Sequence, residues 1–376
     1  MGPVMCIVGA RPNFMKMAPI LRALAAHAPP IPALLVHTGQ HYDASMSDQL
    51  FADLRLPRPD INLEVGSGTH AAQTAEVMKR FEPALDEHRP SCVLVVGDVN
   101  STLACTLVAV KKGVPVAHVE AGLRSYDRKM PEEINRVLTD QVADRLYTTE
   151  RSALANLQRE GVDAARVCFA GNVMIDSLLA NRDAARPAAD TLRAHGLDPA
   201  VLLHPRGYGV VTLHRPSNVD TPQTLAMLLT VLREISAQLP LVFALHPRTR
   251  GNIDKFGLGS LLDPATMLLL PPQGYLEMIG LMSGATVVLT DSGGLQEETT
   301  ALGVPCLTLR ENTERPITVE QGTNTMVGRD LAAIRAGVAE ILAGKGKRGR
   351  VPELWDGHAA ERIAADLFLW LRAGAA

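Results

Sequence analysis

Residues 92–119, CVLVVGDVNSTLACTLVAVKKGVPVAHV, decide the fold of this chain. An uninterrupted apolar run, CVLVV, is followed by a helix-like pattern over 101–112 and by a second apolar run over 116–119. A strand that is apolar at every position fits burial on both faces of a parallel sheet. The order strand, helix, strand is that of the βαβ unit. We therefore predict an α/β protein with a doubly wound, Rossmann-like parallel sheet around this unit.

The same alternation extends through the first part of the chain. The predicted strands lie at 4–8, 33–38, 92–96, 116–119, 146–148 and 167–170. The predicted helices lie at 16–26, 71–87, 101–112 and 132–143. Short aliphatic strands separated by helical segments are typical of a parallel sheet.

After Gly171 the pattern starts again. Strands are predicted at 209–213, 241–245, 266–270, 285–290 and 306–309, and helices at 173–182, 221–237, 275–283 and 294–302. We predict two Rossmann-like domains, 1–171 and 172–356, and a C-terminal helix within 357–376 that packs back on the first domain. Two such sheets facing a cleft would bind a ligand at the carboxyl ends of their strands.

Composition narrows the function. The 376 residues are 47% hydrophobic and carry a net charge of −3, which argues against a general binder of nucleic acid or membrane surfaces, with a local basic groove as the alternative. No apolar run approaches the roughly 20 residues of a membrane span, so we expect a soluble cytoplasmic protein. The start of the chain lacks the apolar core of a signal peptide. The five cysteines form no CxxC pair, so we expect neither a disulfide framework nor a metal site. They are Cys6, Cys92, Cys105, Cys168 and Cys306.

Acids cluster after two of the predicted strands. The segment 118–136, HVEAGLRSYDRKMPEEINR, places Glu120 and Glu132 among several cations, and Asp98 follows the strand CVLVV directly. Paired acids held in different environments are the usual equipment for moving protons. A solvated, salt-bridged loop and a helix-capping or turn role for Asp98 are the alternative interpretations.

Two segments have the features of a phosphate site. GARPNFMK, residues 9–16, follows the first strand and offers Arg11 and Lys16 near a helix N-terminus, although surface cations beside a turn are the alternative. DSGGLQEE, residues 291–298, joins a strand to a helix. The turn at Ser292, Gly293 and Gly294 can expose backbone N–H groups to a diphosphate. Glu298, the last residue of the segment, could accept hydrogen bonds from a ribose.

Other polar residues also follow strands of the second half. His214, in TLHRPSN, can share a proton near neutral pH or serve as a buried structural histidine. Arg315, in RENTERP, and Gln273 and Tyr275, in PQGYLEM, are candidate contacts for a base and its phosphates.

Two motifs are not interpreted as sites. GSGTHA, residues 66–71, fits G-x-G-x-x-A, but the residues before it make a poor strand, so we do not expect a dinucleotide there. HPRTR, residues 246–250, has one histidine and no second close ligand, so it predicts no metal.

Taken together, these segments resemble the non-hydrolysing UDP-N-acetylglucosamine 2-epimerase family. The matching blocks, in the family's order, are GARPNFMKMAPI, TGQH, GDVNST, HVEAGLRSYDRKMPEEINR, GNVMID, TLHRPSN, DSGGLQEE and TERP. The resemblance implies the two-domain glycosyltransferase-B fold and no cofactor. It implies reversible conversion of UDP-GlcNAc to UDP-ManNAc by elimination of UDP, through 2-acetamidoglucal, and re-addition.

By this resemblance, one group of residues matches the family's catalytic positions, namely Asp98, Glu120, Glu132 and His214. A second group matches its UDP-sugar contacts, namely Arg11, Lys16, Gln273, Ser292, Gly293, Gly294, Glu298 and Arg315. Met278 stands where an aromatic residue is often found near the base. The loop from Glu120 to Glu132 is short, as in the archaeal type.

The resemblance also bears on regulation and assembly. Gln40 and His41 match part of the site where bacterial members bind a second UDP-GlcNAc as an activator, while the neighbouring GSGTH segment diverges. A homodimer and a product that feeds polysaccharide synthesis are implied.

Four alternatives stay open. The first is a 2-epimerase of a related UDP-sugar, of the UDP-2,3-diacetamido-glucuronic acid type, and the second is a hydrolysing epimerase. GARPNFMK disfavours hydrolysis, because that branch tends to replace its proline and lysine. The third is a glycosyltransferase, which would not need the paired acids of HVEAG and PEE. The fourth is a nucleotide-sugar sensor without catalysis, which predicts loss of acids that are all present.

Overall fold

The computed structural model describes residues 2–39 and 51–373. The chain divides into two compact units, the first formed by residues up to 180 together with those from 353 onward, and the second by Asn181–Pro352. Each unit is a parallel sheet with helices between its strands. The predicted α/β class, with two doubly wound parallel-sheet domains, is confirmed. The domain limits were predicted after residues 171 and 356, and the two compact units divide after residues 180 and 352.

The first unit contains a seven-stranded parallel sheet within the described residues, in the order β3-β2-β1-β4-β5-β6-β7. Its strands are β1 Val4–Val8, β2 Ala33–His37, β3 Ile61–Asn62, β4 Cys92–Val96, β5 Val116–Ala121, β6 Arg145–Thr148 and β7 Val167–Phe169. The strand order reverses direction between β1 and β4, and such a switch point is where open α/β sheets bind ligands.

The helices of this unit follow its strands. They are α1 Arg11–Ala26, α2 His70–His88, α3 Asn100–Lys111, α4 Pro131–Val142, α5 Arg151–Arg159 and α6 Val173–Asn181. Strands β1 and β4 are buried along their whole length, as the uninterrupted apolar run of β4 predicts. Helix α2 begins within GSGTHA, where the Thr69 hydroxyl accepts a hydrogen bond from the Ala72 N–H at 3.2 Å. This motif therefore forms a helix cap.

Helix α1 begins earlier than predicted, at Arg11 rather than at Lys16. Pro12 is compatible with the first turn of a helix. The Asn13 side-chain oxygen accepts hydrogen bonds from the Gly9 and Ala10 N–H groups, at 3.1 and 3.0 Å. As a result Lys16 lies inside the helix and is buried, not at its N-terminus as we expected.

The second unit contains a six-stranded parallel sheet within the described residues, in the order β10-β9-β8-β11-β12-β13. Its strands are β8 Gly209–Thr212, β9 Leu241–Ala244, β10 Met267–Leu270, β11 Val287–Thr290, β12 Cys306–Thr308 and β13 Asn324–Met326. Its helices are α7 Ala188–Ala194, α8 Pro216–Val219, α9 Pro222–Ser236, α10 Pro247–Lys255, α11 Tyr275–Ser283, α12 Gly293–Leu302, α13 Pro316–Glu320 and α14 Leu331–Leu342. The switch point lies between β8 and β11.

The last helix, α15 Ala359–Ala373, belongs to the first unit. The buried carboxylate of Asp176 accepts hydrogen bonds from the first two N–H groups of this helix, at 3.2 and 2.7 Å. Further along, Asp366 accepts from Arg145 at 2.8 Å and from the Tyr147 hydroxyl at 2.9 Å. These contacts fasten the end of the chain to β6 and α6. Among the described residues, no helix is long and apolar enough to cross a membrane.

Candidate active site

The candidate residues of the first unit lie at the carboxyl ends of its central strands. Arg11 and Lys16 follow β1, Asp98 follows β4, and Glu120 lies near the end of β5. The carboxyl ends of parallel strands meet at one edge of a sheet. Residues that are far apart in the sequence are therefore brought to the same edge.

Lys16 and Glu120 form a buried ion pair beside Gly97. A Cβ atom at Gly97 would lie 3.0 Å from the Lys16 Nζ and 3.9 Å from the Glu120 Oε2, so the missing side chain leaves room for the pair. Glu120 has a φ of 70°, where residues other than glycine are uncommon, and the register of β5 shifts at this point. Such backbone outliers cluster at functional sites.

Asp98 is held by helix α4. The Arg136 Nη2 donates to its carboxylate at 2.5 Å, and the Asn135 side chain donates to its main-chain carbonyl at 2.9 Å. Arg136 is buried, whereas the Asp98 side chain is about a quarter exposed at 23%. This carboxylate is therefore anchored from one side while keeping access to solvent.

The remaining acids of segment 118–136 have different surroundings. Buried Glu133 accepts hydrogen bonds from the Ser125 and Tyr126 N–H groups, at 2.9 and 2.8 Å, and contacts Arg136 at 3.0 Å. It therefore holds the loop that follows β5. Asp127 accepts from a main-chain N–H two residues later in the same loop. Glu132 lies partly buried in the first turn of α4.

Three buried polar residues of this unit, which contact one another, were missed as site components. His118 lies on β5 and contacts Asp140 at 2.7 Å, and Asp140 contacts Arg124 at 2.7 Å. Burial acts to raise the pKa of Asp140, but the hydrogen bond and charge of His118 and the charge of Arg124 lower it below the ordinary value. The available signal was a histidine inside an apolar strand, two residues before Glu120.

In the second unit, His214 follows β8 and Asp291 follows β11, next to the switch point. The His214 Nδ1 lies 2.9 Å from the Asp291 Oδ1. Burial alone would raise the pKa of Asp291, but its hydrogen bond to His214 and those from the N–H groups of His214 and Arg215 lower it. An ionised carboxylate at Nδ1 orients the imidazole and leaves Nε2 as the nitrogen that can exchange a proton with a ligand. Asp291 was missed as a partner of His214.

The glycine-rich turn begins α12. Ser292 is its N-cap residue, and Gly293 and Gly294 form its first turn. A Cβ atom at Gly293 would lie 2.9 Å from the Arg315 Nη1. Arg315 in turn contacts Glu297 at 2.8 Å. The helix N-terminus favours an anion, and the guanidinium beside it is paired with Glu314 at 2.7 Å as well as with Glu297.

Two more predicted residues meet in this unit. Tyr275 and Glu298 are both buried, and burial, followed by the charge of Glu298, raises the pKa of Tyr275 well above the usual value. Gln273 donates to the Pro271 carbonyl at 2.8 Å. Met278 packs against the apolar core formed by one face of this sheet.

Two of the remaining motif residues lie at helix starts, and two lie outside the described residues. Arg11 is partly buried at the start of α1. Gln40 and His41 lie outside the described residues. His246 of HPRTR caps α10 by accepting a hydrogen bond from the Arg248 N–H at 3.2 Å. Within the described ranges, no group of three His, Cys, Asp or Glu side chains is placed to hold a metal ion.

The ion-paired acids of the first unit lie at the switch point of its sheet. The histidine and the glycine-rich helix N-terminus of the second unit lie at the switch point of the other sheet, and α/β enzymes bind their ligands at such points. The family model of UDP-N-acetylglucosamine 2-epimerase matches residues 23–367. The chain belongs to this family.

Individual relatives agree. The chain is 41% identical over 360 residues to a UDP-N-acetylglucosamine 2-epimerase from Methanocaldococcus jannaschii, covering 95% of this chain and 96% of the relative. It is 42% identical over 328 residues to a UDP-2,3-diacetamido-2,3-dideoxy-D-glucuronate 2-epimerase from Pseudomonas aeruginosa, covering 86% and 88%. A crystal structure of the Methanocaldococcus jannaschii UDP-GlcNAc 2-epimerase in complex with UDP-GlcNAc and UDP matches with a TM-score of 0.84 at 38% identity, covering 98% and 99%.

Proposed function

We propose that this protein interconverts UDP-GlcNAc and UDP-ManNAc by elimination and re-addition of UDP, without hydrolysis and without a cofactor. The observation that carries the proposal is the placement of Glu120. Its buried carboxylate pairs with Lys16 beside Gly97, the residue that precedes Asp98, and its backbone has a positive φ. Family membership supports the reaction class. The similar Methanocaldococcus jannaschii structure holding UDP-GlcNAc and UDP supports the substrate.

The chemistry of the substrate explains why acids are needed. The C2 hydrogen of an N-acetylhexosamine is not next to a carbonyl group, so simple deprotonation is difficult. In the proposed step the C2–H bond breaks and its proton passes to a carboxylate. The C1–O bond breaks with it, so that UDP leaves with the electron pair and a C1=C2 double bond forms. UDP then adds back at C1 while a proton returns to the other face of C2.

The first unit supplies the proton-transfer groups in this proposal, namely Asp98, Glu120 and Glu132. Asp98 keeps access to solvent while Arg136 anchors it, and Glu120 is buried against Lys16. The Lys16 cation keeps the ionised Glu120 carboxylate from being an isolated buried charge before it accepts a proton. The two acids thus have different environments, as acid–base pairs require.

The second unit supplies the groups that hold UDP and stabilise its charge as it leaves. The N-terminus of α12 and the guanidinium of Arg315 favour the diphosphate, and His214 is oriented by Asp291. Retention of UDP matters because its loss would release the glycal. The further contacts in this proposal are Arg11, Lys16, Gln273, Tyr275, Met278, Ser292, Gly293, Gly294 and Glu298.

One incubation tests the reaction. The protein is mixed with UDP-GlcNAc in D2O and the products are followed by NMR. We expect UDP-ManNAc that carries deuterium at C2. Free ManNAc with UDP would indicate a hydrolysing enzyme instead. Absence of any C2 exchange would overturn the proposal.

A second candidate substrate rests on the Pseudomonas aeruginosa relative, a UDP-2,3-diacetamido-2,3-dideoxy-D-glucuronate 2-epimerase that is 42% identical. We rank it below UDP-GlcNAc because TERP, with Arg315, is more like the UDP-GlcNAc branch. Comparing kcat/KM for the two UDP-sugars in one assay decides between them. A higher value for the diacetamido sugar would reverse the order.

We also propose a homodimer. Helix α4 carries Ile134, Leu138 and Val142, which are 38% to 46% exposed and spaced four residues apart. Residues at this spacing share one helix face, and an exposed apolar stripe is typical of an interaction surface. Light scattering after gel filtration should give a dimer for the native chain and a monomer for Leu138→Glu. A monomeric native chain would contradict this proposal.

A further inference from the structure

His118 is a completely buried histidine to which the proposed chemistry gives no role. Its Nδ1 lies 2.7 Å from the Asp140 Oδ1, and its Nε2 lies 2.8 Å from the Gly97 carbonyl oxygen. Strand β5 thereby contacts both α4 and the end of β4. The imidazole joins the three segments that carry Glu120, Glu132 and Asp98.

Both hydrogen-bonding partners of His118 are acceptors. A main-chain carbonyl can only accept, and the Asp140 carboxylate, which also takes the Gly122 N–H and pairs with Arg124, is likewise an acceptor. Both contacts form together only when both ring nitrogens carry a proton, that is, when the side chain is an imidazolium. A charge in this position needs compensation, because burial of an unpaired ion is costly.

The surrounding charges supply that compensation. Asp140 also accepts from the Gly122 N–H at 3.0 Å and pairs with Arg124 at 2.7 Å. Arg124 in turn makes two hydrogen bonds with Glu160, at 2.8 and 2.6 Å. With His118 protonated, positive and negative groups alternate through the four side chains and their charges cancel. The network therefore compensates the charge of a buried imidazolium at His118.

The Gly97 carbonyl belongs to the peptide bond that leads to Asp98. On the far side of that peptide, the Asp98 main-chain carbonyl accepts a hydrogen bond from the Asn135 side chain at 2.9 Å. The Asp98 carboxylate accepts one from Arg136 at 2.5 Å. Both of these donors lie on α4, whereas His118 holds the peptide from β5. The orientation of the Asp98 carboxylate thus depends on a hydrogen bond from each side.

We propose that His118 is a positioning residue whose Nε2–H fixes the Gly97–Asp98 peptide and so aims the Asp98 carboxylate. It holds this place as a buried imidazolium in the network with Asp140. His118 itself touches no substrate. The effect on turnover rests on the proposed epimerase function, whereas the protonation of the ring does not.

NMR of the native protein with ¹⁵N-labelled histidine tests the protonation directly. We expect both ring nitrogens of His118 to show one-bond couplings to hydrogen at neutral pH, with the signals assigned by their loss in a His118 variant. An unprotonated ring nitrogen in His118 would overturn the proposal. This measurement needs no turnover, so it remains informative even if the protein proves inactive on UDP-GlcNAc.

Two variants separate the two contacts. The amide nitrogen of His118→Gln approximates Nε2 and can still donate to the Gly97 carbonyl. The amide nitrogen of His118→Asn approximates Nδ1 and can donate only to Asp140. We expect kcat to be at least about tenfold lower in His118→Asn than in His118→Gln, with similar KM, since small misplacements of a reacting group are costly.

Equal kcat values in two folded variants would overturn the positioning role. A lower kcat in His118→Gln than in His118→Asn would also overturn the positioning role, because the contact with Asp140 would then be the important one. Urea unfolding of both variants reports stability separately from kcat. Failure of the native protein to turn over UDP-GlcNAc would reject the proposed function, while the NMR result would still decide the state of His118.

Discussion

The His214 ring is tied to Asp291, 77 residues further along the chain, by a contact of 2.9 Å between Nδ1 and Oδ1. The same carboxylate accepts hydrogen bonds from the His214 N–H at 3.0 Å and from Asn218 at 3.0 Å. Main chain and side chain of the histidine are therefore fixed by one buried acid. The two strands on either side of the switch point, β8 and β11, are joined by this contact.

Replacing Asp291 by Asn should damage both catalysis and folding. The amide cannot accept all the hydrogen bonds that the carboxylate accepts, so the His214 ring loses its orientation. We expect kcat to fall by at least about 100-fold, the lower end of a general acid–base contribution, and the free energy of unfolding to fall by about 1–3 kcal/mol. Steady-state kinetics and urea unfolding measure the two effects.

The matched control is Asp220→Asn in the same unit. Asp220 pairs with Arg248 near the protein surface and lies outside the candidate site. Exposed ion pairs contribute little, so this variant should keep native kcat and nearly native stability. Equal losses of kcat in the two variants would remove the special role of Asp291.

The stability of the protein should fall in acid because of two buried carboxylates. The pKa values of Asp140 and Asp291 are lowered in the folded state. Their contribution is therefore complete above the ordinary Asp pKa of about 4 and is lost as the pH falls through the folded-state values. Urea unfolding between about pH 3 and pH 7 should show this loss, and Asp291→Asn should reduce its size. A pH-independent stability in this range would contradict the assignment.

The fold was predictable because apolar runs dominate its strands. Strand β4 is buried at every position, and its limits agree with the prediction. Strand β13 was not predicted because it is only three residues long and begins with the polar residues Asn324 and Thr325. Asn324 in that strand is buried only because its side chain is hydrogen bonded to Thr308 at 2.6 Å and to Gln296 at 3.1 Å. Partners of this kind come from distant segments and cannot be read from a local pattern.

The same limit applies to the candidate site. Motifs at strand ends were sufficient to select Asp98, Glu120 and His214, because parallel strands bring their carboxyl ends together. The partners of these residues were not predictable. Lys16 was expected to contact phosphate from the helix N-terminus, but the observed helix begins five residues earlier and turns its side chain toward Glu120.

The Lys16–Glu120 pair should show strong coupling. Lys16→Met leaves a buried carboxylate without its cation, which should cost about 3–5 kcal/mol in the free energy of unfolding. Adding Glu120→Gln to that variant removes the buried charge and should restore much of the stability, while epimerisation remains abolished. Urea unfolding of both single variants and the double variant gives the coupling energy. Additive losses would mean that the pair is not coupled in the folded protein.

Thiol reactivity should follow burial. Burial raises the pKa of the Cys306 thiol to about 11. Burial, with a smaller effect from the charge of Asp60, raises the pKa of the Cys6 thiol to about 12. Cys168 is only partly buried. Because the thiolate is the reactive form, iodoacetamide at pH 8 should modify Cys168 first and leave Cys6 and Cys306 untouched until the protein unfolds. Peptide mass spectrometry of native and urea-unfolded samples measures this order, and rapid native labelling of Cys6 would contradict it.

The turn at the start of α12 should tolerate no side chain at Gly293. A Cβ atom there would lie 2.7 Å from the Glu314 Oε1 and 2.9 Å from the Arg315 Nη1, so Gly293→Ala must displace this ion pair from the helix N-terminus. We expect KM for UDP-GlcNAc and the Kd for UDP to rise about tenfold, equivalent to about 1.4 kcal/mol. Gly251→Ala in α10 is the control, because a Cβ atom there meets nothing within 4 Å. That substitution should leave UDP binding unchanged and stabilise the helix by about 0.5–1 kcal/mol. Calorimetric titration with UDP compares the two variants, and native affinity in Gly293→Ala would place the diphosphate elsewhere.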